Sequence, residues 1–148
     1  MSAYLETLYS ALRTVISSQW TDVPTGGIWE TEQVEMVPWE RLVPPYAVVV
    51  IPSMPLADWG LNSMLYNPQI DLYYVAAVTG GSSNLRAKLE GMRDYILSND
   101  ISTGQVLNVH SIGWGNDIPA NVIFISKNYT HRAGRMTLDA LIGETVTF

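Results

Sequence analysis

The chain has 148 residues, a net charge of −6 and no cysteine, which is the size of a single domain that can bury its own core. The lack of cysteine excludes disulfides, zinc–thiolate sites and thiol catalysis, and the acidic balance argues against tight nucleic-acid binding, which needs clustered lysine and arginine. No apolar run approaches the roughly 20 residues that span a bilayer, and no basic segment followed by an apolar run begins the chain, so we expect a soluble protein without an export signal.

Aromatic residues are abundant and charged residues are few. The chain has five Trp and eight Tyr, and 15% of its residues are charged, against roughly 25% in typical domains. Interface cores are enriched in aromatic residues and depleted in charged ones. The composition therefore leaves two interpretations open: surfaces that are buried against other subunits, or a large monomeric core.

The first predicted element is an amphipathic helix over residues 3–18. Its apolar side chains recur every three or four positions, which places them on one side of a helix, and Ser2 is placed to cap the amino end. The stripe comprises Leu5, Leu8, Leu12, Val15 and Ile16, with Tyr9 beside it. Residues 20–27 contain Pro24 and a Gly-Gly pair and are predicted to form a loop.

Two strands are predicted before residue 52. Residues 28–31 are a candidate short strand, whereas 34–43 fit no single pattern, because apolar and charged residues mix there and Pro38 opposes a central strand. The run 46–51 is continuously apolar and follows Pro44-Pro45. Such a run is typical of a central strand that is covered on both faces.

Residues 52–67 are predicted to form a long hairpin or an extended arm. Several of their apolar residues follow no helical or strand period and are therefore candidates for contact with a partner: Met54, Leu56, Trp59, Leu61, Met64 and Leu65. A loop folded over the protein's own core is the competing interpretation.

The clearest unit of the chain is a strand, a Gly-Gly break and a helix between residues 69 and 99. Residues 70–78 are rich in β-branched and aromatic residues, which predicts a strand. The apolar positions that follow are spaced by four, three and four residues, which predicts a helix with one buried stripe. That stripe comprises Leu85, Leu89, Met92 and Ile96, and Ser82, Ser83 or Asn84 is placed to cap the helix.

The last third of the chain predicts three strands, at 106–114, 121–126 and 135–142, with a loop over 128–134. In the first strand Val109 and Ile112 are predicted on opposite sides, because side chains alternate along a strand. The last strand is predicted to have one apolar side, formed by Met136, Leu138, Ala140 and Ile142. Its other side is predicted to be more exposed to solvent and comprises Arg135, Thr137, Asp139 and Leu141.

The order of these elements predicts the fold class. No repeat or low-complexity linker divides the chain, so we expect one domain over 1–148, with a possible arm or loop at 52–67. The order helix, two or three strands, helix and three strands predicts an α+β fold. We expect a mostly antiparallel or mixed sheet, with the two helices packed on one face.

A search for catalytic chemistry finds no complete motif. The Gly-rich turn at 79–83 lacks the Gly-Lys-Ser/Thr of a phosphate-binding loop. His110 and His131 have no partner at metal-ligand spacing. The acidic residues Glu30, Glu32, Glu35 and Glu40 are predicted to form a solvated edge. We therefore predict no catalytic residue, no cofactor, no bound metal and no enzymatic activity.

The chain's few cations include one group, Lys127, Arg132 and Arg135, which flanks Tyr129 and His131. Arginine and tyrosine together are typical anchors of protein interfaces, so this group is a candidate docking patch, with an ordinary solvated loop as the alternative. The full set of candidate interface residues is Trp59, Tyr66, Lys127, Tyr129, Arg132 and Arg135.

The layout of the chain resembles the tail terminator, or tail completion, proteins of long-tailed bacteriophages. The resemblance covers most of the chain and rests on element order. It is carried by the leading amphipathic helix, the extended arm, the Pro-Pro-Tyr-Ala-Val-Val-Val-Ile and Asp-Leu-Tyr-Tyr-Val strands, the helix over 85–96, and the closing strands through Arg132-Ala133-Gly134-Arg135-Met136.

This resemblance implies a homo-hexameric ring in the virion, at the neck of the tail, assembled in the host cytoplasm. Such a ring sits on the tail tube, stops its growth and offers its other face to a head-side connector or stopper, while DNA passes through the lumen without specific binding. It implies no membrane partner. The alternatives are another neck or tail component, such as a stopper or a tube subunit, and a small ligand-binding module with 52–67 as its pocket wall. An enzyme with dispersed carboxylates is a further alternative.

Overall fold

The computed structural model describes residues 2–33, 36–37, 42, 45–53, 56–59, 63–77, 81–98, 105–114 and 131–145. In chain order they form helix α1 (Ser2–Gln19), a 3-10 turn (Thr25–Gly27), strands β1 (Ile28–Thr31), β2 (Tyr46–Val50), β3 (Leu56–Trp59), β4 (Ser63–Tyr66) and β5 (Gln69–Ala77), helix α2 (Gly81–Ser98), and strands β6 (Gln105–Trp114) and β7 (His131–Thr145). The predicted strand at 121–126 and most of 34–43 lie outside the described residues.

The described strands form one mixed sheet. Its order is β1-β2-β5-β7-β4-β3, and β6 pairs with the other edge of β7. Among these strands, β1 and β2 run parallel and every other pair is antiparallel. Two helices and a mixed sheet confirm the predicted α+β class.

Both helices pack on one face of the sheet, as predicted. The main core joins the buried stripe of each helix to alternate residues of the central strands: Leu8, Leu12, Val15 and Ile16 of α1, Leu85, Leu89, Met92 and Ile96 of α2, Ala47 and Val49 of β2, Ile70, Leu72, Tyr74 and Ala76 of β5, and Met136, Leu138 and Ala140 of β7. All five residues of β2 are buried, which confirms a central strand covered on both faces. The side chain of Leu5 lies outside what the structure describes.

A glycine lets α2 approach β7 closely. A Cβ atom built on Gly134 would lie 2.5 Å from Leu89 Cδ1 and 3.4 Å from Leu85 Cδ1. Real Cβ atoms do not come as close as the first of these distances, and Leu89 is fully buried. The missing side chain therefore sets the spacing between this helix and the centre of the sheet.

Trp20 closes the end of α1 against α2. It is fully buried, its indole nitrogen donates to the Lys88 carbonyl at 2.9 Å, and its ring centroid lies 5.0 Å from that of Tyr74. Beside it, Asp22 accepts hydrogen bonds from the Tyr74 hydroxyl and the Lys88 ammonium group. Burial raises the pKa of Asp22, but these hydrogen bonds outweigh it and hold the pKa below its ordinary value.

Arg13 ties α1 to the edge strand β1. Its guanidinium donates to both carboxylate oxygens of Glu30, and to Glu6 at 2.6 Å. Glu30 was expected in a solvated acidic edge, whereas it is half-buried and paired with a cation. Partly exposed pairs of this kind stabilise a fold by roughly 0–1 kcal/mol, so the contact chiefly orients the helix over the strand.

The predicted alternation of β6 is wrong across its middle. The register with β7 shifts at His110, so Val109 pairs with Leu138 and Ile112 pairs with Met136. Val109 and Ile112 both pack against the helix-facing core, although they were predicted on opposite sides. A β-bulge adds one residue to one strand and thereby resets which side chains face the core.

Several element boundaries also differ from the prediction, most of all at β7 and α2. β7 begins at His131, so residues 131–134 belong to a strand and not to the predicted loop, because they continue the ladder with β5. α2 begins at Gly81, so the three predicted capping residues at 82–84 lie in its first turn.

Candidate interaction surface

A β-hairpin extends the sheet at one end. β3 and β4 pair antiparallel, from Leu56 opposite Tyr66 to Trp59 opposite Met64, which agrees with the hairpin predicted within 52–67. β4 pairs in turn with residues 142–145 of β7. In the described part of the chain, the substantial contacts of β3 are with β4, and those of β4 are with β3 and β7. We call β3, β4 and residues 142–145 the hairpin arm.

The arm is a direct continuation of the sheet's central ladder. β4 and β5 pair with β7 in a single unbroken register, from Ser63 opposite Thr145 to Ala77 opposite His131. β7 has 15 residues, which corresponds to about 50 Å at roughly 3.3–3.4 Å per residue. One end of this long ladder lies under the helices, and the other end carries the arm. The direction of the arm is therefore set by the body of the sheet.

The candidate interface residues fall in different parts of the fold. Trp59 lies on β3 and Tyr66 on β4, so both belong to the hairpin arm. Arg132 and Arg135 lie on β7, opposite Ala76 and Tyr73 of β5. Lys127 and Tyr129 lie outside the described residues.

Both arginines lie on β7, whereas the sequence predicts Arg132 in the loop over 128–134 and Arg135 at the start of the last strand. They stand three residues apart on a strand whose register with β5 is unbroken. The structure thus brings Trp59 and Tyr66 into one hairpin, and it places Arg132 and Arg135 on one strand. The interface roles of all six residues stay predictions.

Arg135 lies on the face of the sheet that is turned away from the helices. On this face Thr137 donates a hydrogen bond to Asp71 at 3.2 Å. Burial raises the pKa of Asp71, while the positive charge of Arg135 and the Thr137 hydrogen bond lower it in part, and burial prevails. This half-buried polar group adjoins a small apolar cluster on the same face: Val37, Tyr46, Val48, Val50, Tyr73, Val75 and Ala133.

Large apolar side chains are also exposed outside the hairpin arm. Trp29 on β1 is 37% exposed and Met36 is 63% exposed. β1 ends the strand order and pairs with β2 alone among the described strands, and a four-residue strand offers too few positions for periodicity to show this edge. A third exposed apolar residue, Leu97, lies near the end of α2.

The described residues contain no group of three or more His, Asp or Glu side chains that could hold a metal ion. In the same part of the chain, neither helix is both long enough and apolar enough to cross a membrane. Compared with known proteins, the chain matches no protein-family model and no curated protein sequence.

Proposed function

We propose that this protein is a structural component of a bacteriophage virion, a tail terminator that forms a homo-hexameric ring, caps the tail tube and joins it to the head-side connector. The observation that supports the proposal is the hairpin arm, a strand pair that continues the central ladder and has its substantial contacts, in the described residues, with β7. An extended hairpin offers backbone donors and acceptors along its edge, which suits binding to a neighbouring subunit by strand addition.

A ring that ends a tube needs two different faces. A tube protein repeats a head-to-tail interface without limit, whereas a closed ring that matches this interface on one face only stops the growth. The proposed partners are therefore further copies of this chain, the tail tube protein, and a connector or stopper on the head side. A net charge of −6 suits a lumen that DNA must pass without adhesion, because DNA binding needs clustered cations.

Electron microscopy and light scattering of the purified protein test the proposal, alone and mixed with tail tube protein. We expect rings with the mass of about six copies, which bind tube ends and halt elongation. A strict monomer at high concentration that ignores tube ends would refute the proposal. Open-ended tubes formed by this protein alone would instead identify a tube subunit, and a small molecule recovered from the purified protein would identify a ligand-binding module.

A pair of tryptophan variants tests the role of the arm. Trp59→Ala alters β3 in the hairpin arm, whereas Trp29→Ala alters an exposed tryptophan on the edge strand β1. Anchor residues of interfaces cost about 2 kcal/mol or more on truncation, so we expect Trp59→Ala to raise the concentration needed for ring formation by roughly thirtyfold. Trp29→Ala serves as the matched control and should leave ring formation unchanged. Rings that form equally well with Trp59→Ala would remove the arm from the interface.

A further inference from the structure

We propose that Asn67 is a positioning residue that holds the hairpin arm in line with the body of the sheet, by supplying the hydrogen-bond donor that Pro68 lacks. Asn67 and Pro68 are the two residues between β4 and β5. They are the point at which the long ladder passes from the body of the sheet into the arm.

Pro68 leaves one of the two backbone hydrogen bonds of its ladder pair unmade. The unbroken register puts Pro68 opposite Ala140, and the Ala140 amide donates to the Pro68 carbonyl at 3.1 Å. Residues in such a hydrogen-bonded antiparallel pair normally exchange two bonds. Proline has no N–H to return, so the Ala140 carbonyl lacks its usual backbone donor at this position, and Pro68 is buried.

The side chain of Asn67 replaces the missing donor. We assign its amide with the nitrogen toward two acceptors, because the opposite orientation would turn the amide oxygen toward these two oxygens. The nitrogen then donates to the Ala140 carbonyl at 2.8 Å and to Asp139 Oδ2 at 3.1 Å. A side-chain amide thus makes the bond that a backbone amide makes elsewhere in the ladder, and Asp139 holds that amide in place.

The Asn67 side chain strengthens the ladder at its weakest described pair. A proline within a strand removes one hydrogen bond from the ladder. The Asn67 bonds bridge the interruption, so the arm and the body move as one ladder. The inference concerns the orientation of the arm within one chain, and it stands whether or not the protein forms a ring.

Hydrogen exchange of the purified protein, followed by NMR, tests the inference. In Asn67→Ala we expect the amides of residues 63–66 and 142–145 to exchange roughly twofold to tenfold faster, the range for one lost net hydrogen bond. Amides in the centre of β5 should exchange as before. Gln69→Ala is the matched control, because it removes an exposed amide two positions along the same stretch, and it should leave the arm's exchange unchanged.

Restoring the backbone donor provides the decisive comparison. Pro68→Ala returns an N–H to this position, so adding Asn67→Ala to the Pro68→Ala variant should change the arm's exchange little. Asn67→Asp keeps the shape of the side chain, removes the donor and places a carboxylate against Asp139, so it should accelerate exchange more than Asn67→Ala does. The inference is overturned if the arm's amides exchange equally fast in Asn67→Ala and in the wild type. It is also overturned if Asn67→Ala accelerates their exchange as much in the Pro68→Ala variant as in the wild type.

Discussion

Replacing Gly134 by alanine should destabilise the fold by about 1–2 kcal/mol. The new Cβ would lie 2.5 Å from Leu89 Cδ1 and 3.3 Å from Leu89 Cγ, inside the roughly 3.5–4.0 Å that carbon atoms prefer. Leu89 is fully buried, so its methyl group moves only if packed neighbours move with it. Overpacking of this kind costs about 1–3 kcal/mol, and alanine recovers about 0.5–1 kcal/mol of backbone entropy relative to glycine, which leaves the expected net cost.

Urea unfolding measures this cost as a lower midpoint with an unchanged slope. Gly91 is the matched control: it is exposed in the middle of α2, and a Cβ there would have nothing within 4 Å. Gly91→Ala should therefore stabilise the protein by about 0.5–1 kcal/mol through helix propensity. The two alanine substitutions thus have opposite expected signs. If Gly134→Ala unfolds at or above the wild-type midpoint, the contact between α2 and β7 does not limit packing, and the reasoning is wrong.

The other predictions concern the junction of α1 with α2 and the two shifted carboxyl groups. Trp20→Phe keeps an aromatic core residue but loses the bond to the Lys88 carbonyl, and it should cost about 1–2 kcal/mol in urea unfolding; an unchanged midpoint would contradict this. The lowered pKa of Asp22 means that its stabilising contribution is present above the unfolded pKa near 3.8 and is lost as pH falls through the folded pKa. Asp22→Asn should therefore reduce the loss of stability at acid pH. The raised pKa of Asp71 gives the opposite sign, since stability is lost as pH rises from 3.8 through the folded pKa. Asp71→Asn should remove that loss. If the urea midpoint depends on pH in the same way in Asp22→Asn and Asp71→Asn, both assignments are wrong.

The body of the sheet and the hairpin arm have different tasks in the proposed ring. One face carries both helices and most of the core, so it supplies stability. The hairpin arm lies along the same ladder but has its substantial contacts, in the described residues, with β7. Substitutions in the core should therefore change unfolding and leave the geometry of the assembly intact, whereas substitutions in the arm should do the reverse.

The helices and the buried strand were predictable because their signals are local. The spacing of the apolar residues in α1 and α2 depends only on the helical repeat, and the continuous apolar run in β2 reports burial on both faces. The alternation of β7 from Arg135 to Ala140 was predictable for the same reason, since a strand places successive side chains on opposite faces. Among the candidate interface residues, Trp59 was singled out because it follows no such period.

The pairing partners of the strands could not be predicted in this way. The register shift between β6 and β7 at His110 places Val109 and Ile112 on one face. No sequence pattern near His110 predicts this bulge. The sequence likewise predicts a loop over 128–134, whereas residues 131–134 pair with β5 and belong to β7. Such features depend on a strand that lies far away along the chain.

By itself, the sequence determined the two helices, their buried stripes and the buried strand β2, because those properties follow from the local pattern of apolar residues. Only the tertiary structure decided that β4 and β5 share one ladder with β7, that Gly134 sets the spacing of α2, and that the Asn67 amide faces the Ala140 carbonyl. Each of these joins residues that are distant along the chain. Their meeting is fixed by the register of the whole sheet, which minimises unpaired backbone groups and buried voids together.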